Sequence, residues 1–166
     1  MQAFRIVKKR HALTAFTGDG AREYGGRWNL PGTPMVYAAQ TRALAALEAL
    51  AHYSGAERRI AFVTFPIEVP DKLVSRLAAD RRPADWRSEA PGMATQQLGS
   101  EWQADGSSVA LLVPSVLIPQ EFCVLLNPEH PDTGKVMVRY PEAFEFDGRL
   151  QPPSFGPRIS RQMPPI

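Results

Sequence analysis

The chain has 166 residues, 44% hydrophobic and 22% charged, which suits one soluble domain with at most a short tail and excludes wholesale disorder, collagen and coiled coil. Its one cysteine, Cys123, excludes a disulfide scaffold and a four-cysteine zinc site and points to a reducing, cytoplasmic compartment; no apolar run is long enough for a signal-peptide core or a membrane span. The net charge of +2 hides an asymmetry: residues 1–60 hold nine Lys/Arg against four Asp/Glu and residues 61–150 eight against thirteen, an N-terminal excess that suits a compact anion and is too small for a nucleic-acid binder.

Phe4-Arg5-Ile6-Val7 opens as a short strand. Residues 17–20 form a loop that runs on to 24–32, Tyr-Gly-Gly-Arg-Trp-Asn-Leu-Pro-Gly, where four of nine residues are Gly or Pro; regular structure is forbidden there and the backbone can approach a ligand closely. Residues 35–38 read as a strand, and Thr41 as the N-cap of a helix over 42–53 with Leu44, Leu47 and Ala51 on its apolar face and Ala43 and Leu50 on the flank. Residues 60–69 form a strand interrupted by Pro66, and 80–100 a long polar connection around a short turn of helix. Two further strands, 108–114 and 122–126, end at Pro114 and at Asn127-Pro128; residues 135–140 alternate, and 142–147 close a domain over 1–150. Residues 151–166 carry five of the sixteen prolines and read as a tail, extended or disordered.

No phosphate-binding loop, dinucleotide fingerprint, zinc-protease helix or serine-hydrolase elbow is present, and His11, His52 and His130 lack ligand spacing, so no metal is expected. Arg27, behind two glycines, is either a fork for a phosphate or carboxylate or a surface arginine in a turn. Arg5, alone in an apolar strand, is either a second anion contact or a snorkelling side chain. Glu48 lies at the edge of the apolar face of its helix, where a carboxylate needs a partner or a cavity; an i, i+4 pair with His52, an ion pair and a functional role all satisfy that. Tyr37 is a core aromatic or lines the same cleft. Ser115 and the Asn127–Pro131 run are turn chemistry or site residues at strand ends, and Cys123 reads as inert packing.

Six blocks in order, Gly-Gly-Arg27-Trp-Asn, Val-Tyr37-Ala, Leu-Ala-Ala-Leu-Glu48-Ala-Leu-Ala-His52, Val-Pro-Ser115, Leu-Leu-Asn127-Pro-Glu-His130-Pro and Phe-Asp147-Gly-Arg-Leu, resemble the RES-domain toxin family over about residues 4–150. The family's name letters match Arg27, Glu48 and Ser115. The resemblance implies an α/β (α+β) single domain similar to ADP-ribosyltransferases, a mixed sheet with flanking helices. It implies the toxin of a bacterial toxin–antitoxin pair that consumes NAD⁺ by hydrolysis or phosphorolysis, or that ADP-ribosylates a protein. A cognate Xre-like antitoxin would block the site and make any DNA contact. Neither a resident cofactor nor a membrane is implied.

On that resemblance Arg27, helped by Arg5, holds the pyrophosphate, Tyr37 packs on nicotinamide or its ribose, Glu48 stabilises the oxocarbenium, and Ser115 binds the ribose or the glutamate, with Asn127 among the NAD⁺ contacts. Gly99-Ser100-Glu101-Trp102 and Cys123 depart from the family pattern. A nucleic-acid-binding or RNA-targeting toxin is the alternative from another class.

Overall fold

The computed structural model describes residues 1–53 and 60–150; the expected tail lies outside the described residues. Eight strands, β1 (Gln2–Lys8), β2 (Val36–Ala39), β3 (Phe62–Glu68), β4 (Val74–Arg76), β5 (Ala110–Pro114), β6 (Phe122–Leu126), β7 (Met137–Val138) and β8 (Glu142–Phe144), are joined by helices α1 (Asp19–Tyr24), α2 (Arg42–His52) and α3 (Met93–Asp105). The strands form one mixed sheet in the order β4-β5-β6-β2-β1-β3-β7, with β8 also on β3, and only β4 and β5 run parallel. Pro66 does not interrupt β3. The strand passes through it in register with Phe4 of β1, and the outer partner changes there from β8 to β7.

The joint between β1 and β2 matters most for function. β1 pairs with β3 over seven residues, yet its backbone ladder with β2 is limited to Phe4 and Ala39. Beyond that pair the two strands diverge, and the sheet opens along Arg5–Val7 and Tyr37–Ala38. An open ladder leaves backbone groups in need of other partners.

Helix α2 packs beside this opening. Thr41 caps it, its hydroxyl accepting from Leu44 N at 3.0 Å. The buried face is Leu44, Ala45 and Ala49, packed on Ile6, Ala39, Phe62 and Phe146; Leu47, Ala51 and Ala43, expected on the apolar side, are exposed. An alanine-rich helix offers two nearly equivalent faces, and the one with small residues at 45 and 49 lets the axis approach the sheet closely.

The region expected to be a long connection contains α3, thirteen residues long. Its buried positions are Thr95, Gly99 and Trp102, small or polar apart from the tryptophan, so no apolar stripe announces it. Gly99 is there for contact: a Cβ would fall 1.8 Å from the Trp28 carbonyl oxygen. Ser100 Oγ accepts from Leu30 N at 2.9 Å, and Trp102 and Trp28 share a core cluster with Met35, Leu77, Leu111 and Val113. Thus α3 buttresses the glycine-rich segment. No helix among the described residues is long and apolar enough to cross a membrane.

Candidate active site

A cavity of about 210 Å³ opens where β1 and β2 part, walled by Arg5, Tyr37, Ala45, Glu48, His52 and Cys123, with Tyr53 and backbone neighbours completing it. Enclosed sites for drug-sized ligands run to roughly 300–1,000 Å³. This one is smaller, with room for part of a larger ligand.

Glu48 enters from the second turn of α2. Its Oε1 accepts from Ser115 Oγ at 2.7 Å and from Cys123 Sγ at 3.3 Å, and Oε2 has no hydrogen-bond partner among the described residues. Among the described residues neither His52 nor an arginine pairs with it. Ser115 is completely buried where β5 ends, and its hydroxyl also accepts from Leu117 N (3.1 Å) and Ile118 N (3.0 Å). A hydroxyl has one proton and two lone pairs. Both lone pairs are taken by the turn, so the proton is directed at Glu48, and Ser115 acts as an aimed donor, with no lone pair left for nucleophilic attack.

Cys123, read from sequence as inert packing, lines the cavity as the second donor. Burial raises its thiol above the ordinary range, and the Glu48 carboxylate raises it further, which keeps the S–H intact. The two donors polarise one carboxylate oxygen and leave the other available to a positive charge.

Arg5 faces the same space. Its Nη1 donates to the Tyr37 carbonyl, one of the backbone acceptors freed by the open ladder, while its Nε is buried without a partner. Burial pulls the guanidinium down to about 10, and the Tyr53 phenolic oxygen offsets this only in part. An arginine fixed at one end and unsatisfied at the other is prepared for an incoming acceptor. Tyr37 has its hydroxyl committed elsewhere, donating to Asn29 Oδ1 (2.6 Å) and accepting from Trp28 N (3.0 Å), so it offers the cavity its ring. Burial raises that hydroxyl's pKa, against the Trp28 N–H.

Two sequence candidates lie apart from this cavity. Arg27 donates Nη1 to Trp86 O (3.2 Å) and Ser88 O (2.8 Å) and Nη2 to Glu89 O (3.0 Å), all backbone carbonyls. The glycines before it are packed against protein, for a Cβ at Gly26 would fall 2.5 Å from the Tyr37 hydroxyl, and Gly25 has a left-handed φ of 72°. Asn127 is 2% exposed at the far end of β6, donating to Gln103 O (2.9 Å) and accepting from Glu129 N (3.0 Å). His52 and Tyr53 were not singled out as lining residues from sequence; His52 follows from helical spacing, one turn beyond Glu48, whereas Tyr53 lies past the end of α2. No group of three or more His, Cys, Asp or Glu side chains suited to a metal ion gathers among the described residues.

The RES domain profile matches residues 2–147. The chain belongs to the RES domain family. Among curated RES relatives, a protein named Toxin Res from Yersinia enterocolitica is 39% identical over 152 residues, covering 91% of this chain and all of the relative. Another Toxin Res, from Photorhabdus laumondii, is 37% identical over 90% and 97%. A protein named Prs ADP-ribosylating toxin, from a Sphingobium species, is 36% identical over 81% of this chain and 85% of its own. Among solved structures, the M. tuberculosis MbcT-MbcA toxin–antitoxin complex contains a chain that superposes with a TM-score of 0.71 at 19% identity, covering 87% and 84%; at that identity the likeness speaks for the fold. The mixed α/β single domain implied by the sequence resemblance is the RES fold observed here.

Proposed function

We propose that this RES domain is the toxin of a bacterial toxin–antitoxin pair and breaks the nicotinamide–ribose bond of NAD⁺. The observation that carries the reading is Glu48, whose carboxylate has one oxygen held by two donors and the other open to the cavity that Arg5 shares. In the step, the bond between ribose C1′ and the pyridinium nitrogen breaks, and its electron pair leaves on nicotinamide. Positive charge passes to the sugar as an oxocarbenium-like species. The leaving group departs neutral and needs no proton. What the site must supply is a fixed negative charge beside the ribose and a cation for the phosphates, the roles assigned to Glu48 and Arg5. Tyr37 supplies a ring against nicotinamide or its ribose, and Ser115 fixes the carboxylate. Arg27 and Asn127 have no part in that first contact in this scheme.

The acceptor then decides the product. Water gives ADP-ribose and a proton, inorganic phosphate gives ADP-ribose 1″-phosphate, and a protein side chain gives an ADP-ribosylated target. The named activity of the Sphingobium relative favours the last as the second reading. The structural neighbour is the toxin of a toxin–antitoxin complex, which supports an antitoxin protein as partner here; we take that partner to be Xre-like and to close the cavity, with DNA contacted through it.

Incubating the purified chain with adenine-labelled NAD⁺, with and without phosphate, tests the proposal. Release of nicotinamide with one of the three labelled products is expected. Intact NAD⁺ alongside salt-dependent RNA or DNA binding would contradict it in favour of a nucleic-acid toxin.

A further inference from the structure

Residues 82–92, which lead into α3, are gripped from two sides. On one side is Arg27, whose guanidinium meets the carbonyls of Trp86, Ser88 and Glu89. On the other, Arg87 Nε donates to Val116 O at 3.3 Å, in the turn that begins at Ser115. Within the loop, Trp86 N reaches Pro83 O (3.1 Å) and Ser88 N reaches Asp85 O (3.0 Å). Its base is pinned by Thr95 Oγ1 donating to Asp85 Oδ1 at 2.7 Å, and Trp86 packs in the cluster of Trp28 and Trp102. The loop is therefore a strap from the Gly-Gly-Arg segment to the turn whose serine aims at Glu48.

A guanidinium suits such a junction. Its planar fork presents five N–H donors in fixed directions, and three are occupied by the strap. Three backbone carbonyls that would otherwise compete for water are satisfied by one side chain. We infer that Arg27 is a positioning residue, the clasp that seats residues 86–89 against the Ser115 turn, and that it acts on Glu48 through that turn without gripping substrate. The kinetic part of this inference rests on the NAD⁺-cleaving reading; the structural part stands without it.

Hydrogen–deuterium exchange on the full chain, wild type against Arg27→Gln, tests the clasp. Protection at Trp86 and Ser88, and at Leu117 and Ile118 in the Ser115 turn, is expected to fall about tenfold or more, with β1 and β3 unchanged. Unchanged protection in both segments would overturn the inference, whatever the protein does to NAD⁺. If Arg27→Gln fails to fold, Arg87→Gln replaces it, pulling the strap from its other end. A smaller loss in the same two segments is expected, and no loss at Leu117 and Ile118 would overturn the inference.

The kinetic readout compares NAD⁺ with nicotinamide riboside, which keeps the scissile bond and lacks the pyrophosphate. A clasp lowers kcat by the same factor for both substrates at nearly constant KM. A rise in KM confined to NAD⁺ would make Arg27 a phosphate ligand and overturn the inference.

Discussion

The β5–β6 hairpin carries a polar cluster around a buried residue at each end, Asn127 at one and Ser115 at the other, and the two are closed in opposite ways. At the Asn127 end the polar atoms answer one another. Asn127 joins Gln103 and Glu129, His130 Nε2 meets Gly106 O at 2.9 Å while its Nδ1 accepts from Asp132 N at 3.0 Å, and Thr133 Oγ1 donates to Asn127 O at 2.9 Å. At the Ser115 end Arg5 Nε is buried without a partner, and Glu48 Oε2, which has none among the described residues, belongs to a side chain that lines the cavity. Buried polar groups are nearly always satisfied, because leaving one unpaired costs about 1–3 kcal/mol. The closed cluster is therefore architecture, stitching α3 to the sheet, and the open one retains its unsatisfied groups for a ligand.

Substitutions at the two ends separate groups kept for a ligand from groups that hold the fold. After Glu48 itself, the largest catalytic loss is expected from Arg5→Gln. KM for NAD⁺ should rise about tenfold to a hundredfold, as befits loss of a charge-assisted contact worth roughly 1.5–3 kcal/mol, while the melting temperature changes little because a desolvated charge is removed along with its bond to Tyr37 O. A large fall in melting temperature with unaltered KM would make Arg5 scaffold.

Ser115→Ala comes next and should do both kinds of damage. It strips two turn N–H groups of their acceptor, for about 2 kcal/mol of stability and a melting temperature about 4–8 °C lower, and it frees Glu48, reducing kcat. At the closed end, Asn127→Ala should destabilise by a similar amount in a denaturant titration and leave kcat and KM of the folded protein unchanged. A selective rise in KM there would move Asn127 into the site.

Cys123→Ser should have the smallest effect, within a few-fold in kcat, because a hydroxyl still donates to Glu48. The raised thiol pKa also means that alkylation of wild-type Cys123 near pH 8 should be much slower than that of a free thiol, and NAD⁺ should slow it further. Fast labelling indifferent to NAD⁺ would contradict its place beside Glu48.

Much of the fold was legible in the sequence because its signals are local. Breaker-bounded apolar runs placed β1, β2, β5 and β6 within two residues, and Thr41 marked the start of α2. Helix α3 escaped because its contact with the core is made by Thr95 and Gly99 as much as by Trp102, which leaves no periodic apolar face. The orientation of α2 escaped because alanines on several faces make burial indifferent until the sheet is present.

The meeting of Glu48 with Ser115 was to be expected only from the resemblance. Ser115 is 67 residues from Glu48 in sequence and the carbonyls held by Arg27 are 59–62 residues away, separations over which periodicity carries no information. Nor does any local pattern reveal that the β1–β2 ladder parts after Phe4 and Ala39, which is the event that makes the cavity.

Whether the open carboxylate of Glu48 drives cleavage is read from nicotinamide release from NAD⁺, followed by proton NMR for wild type and Glu48→Gln. Glutamine keeps the shape and an oxygen for Ser115 while removing the charge, so a folded protein with release slowed by about a hundredfold or more is expected. Release at the wild-type rate by folded Glu48→Gln would contradict it.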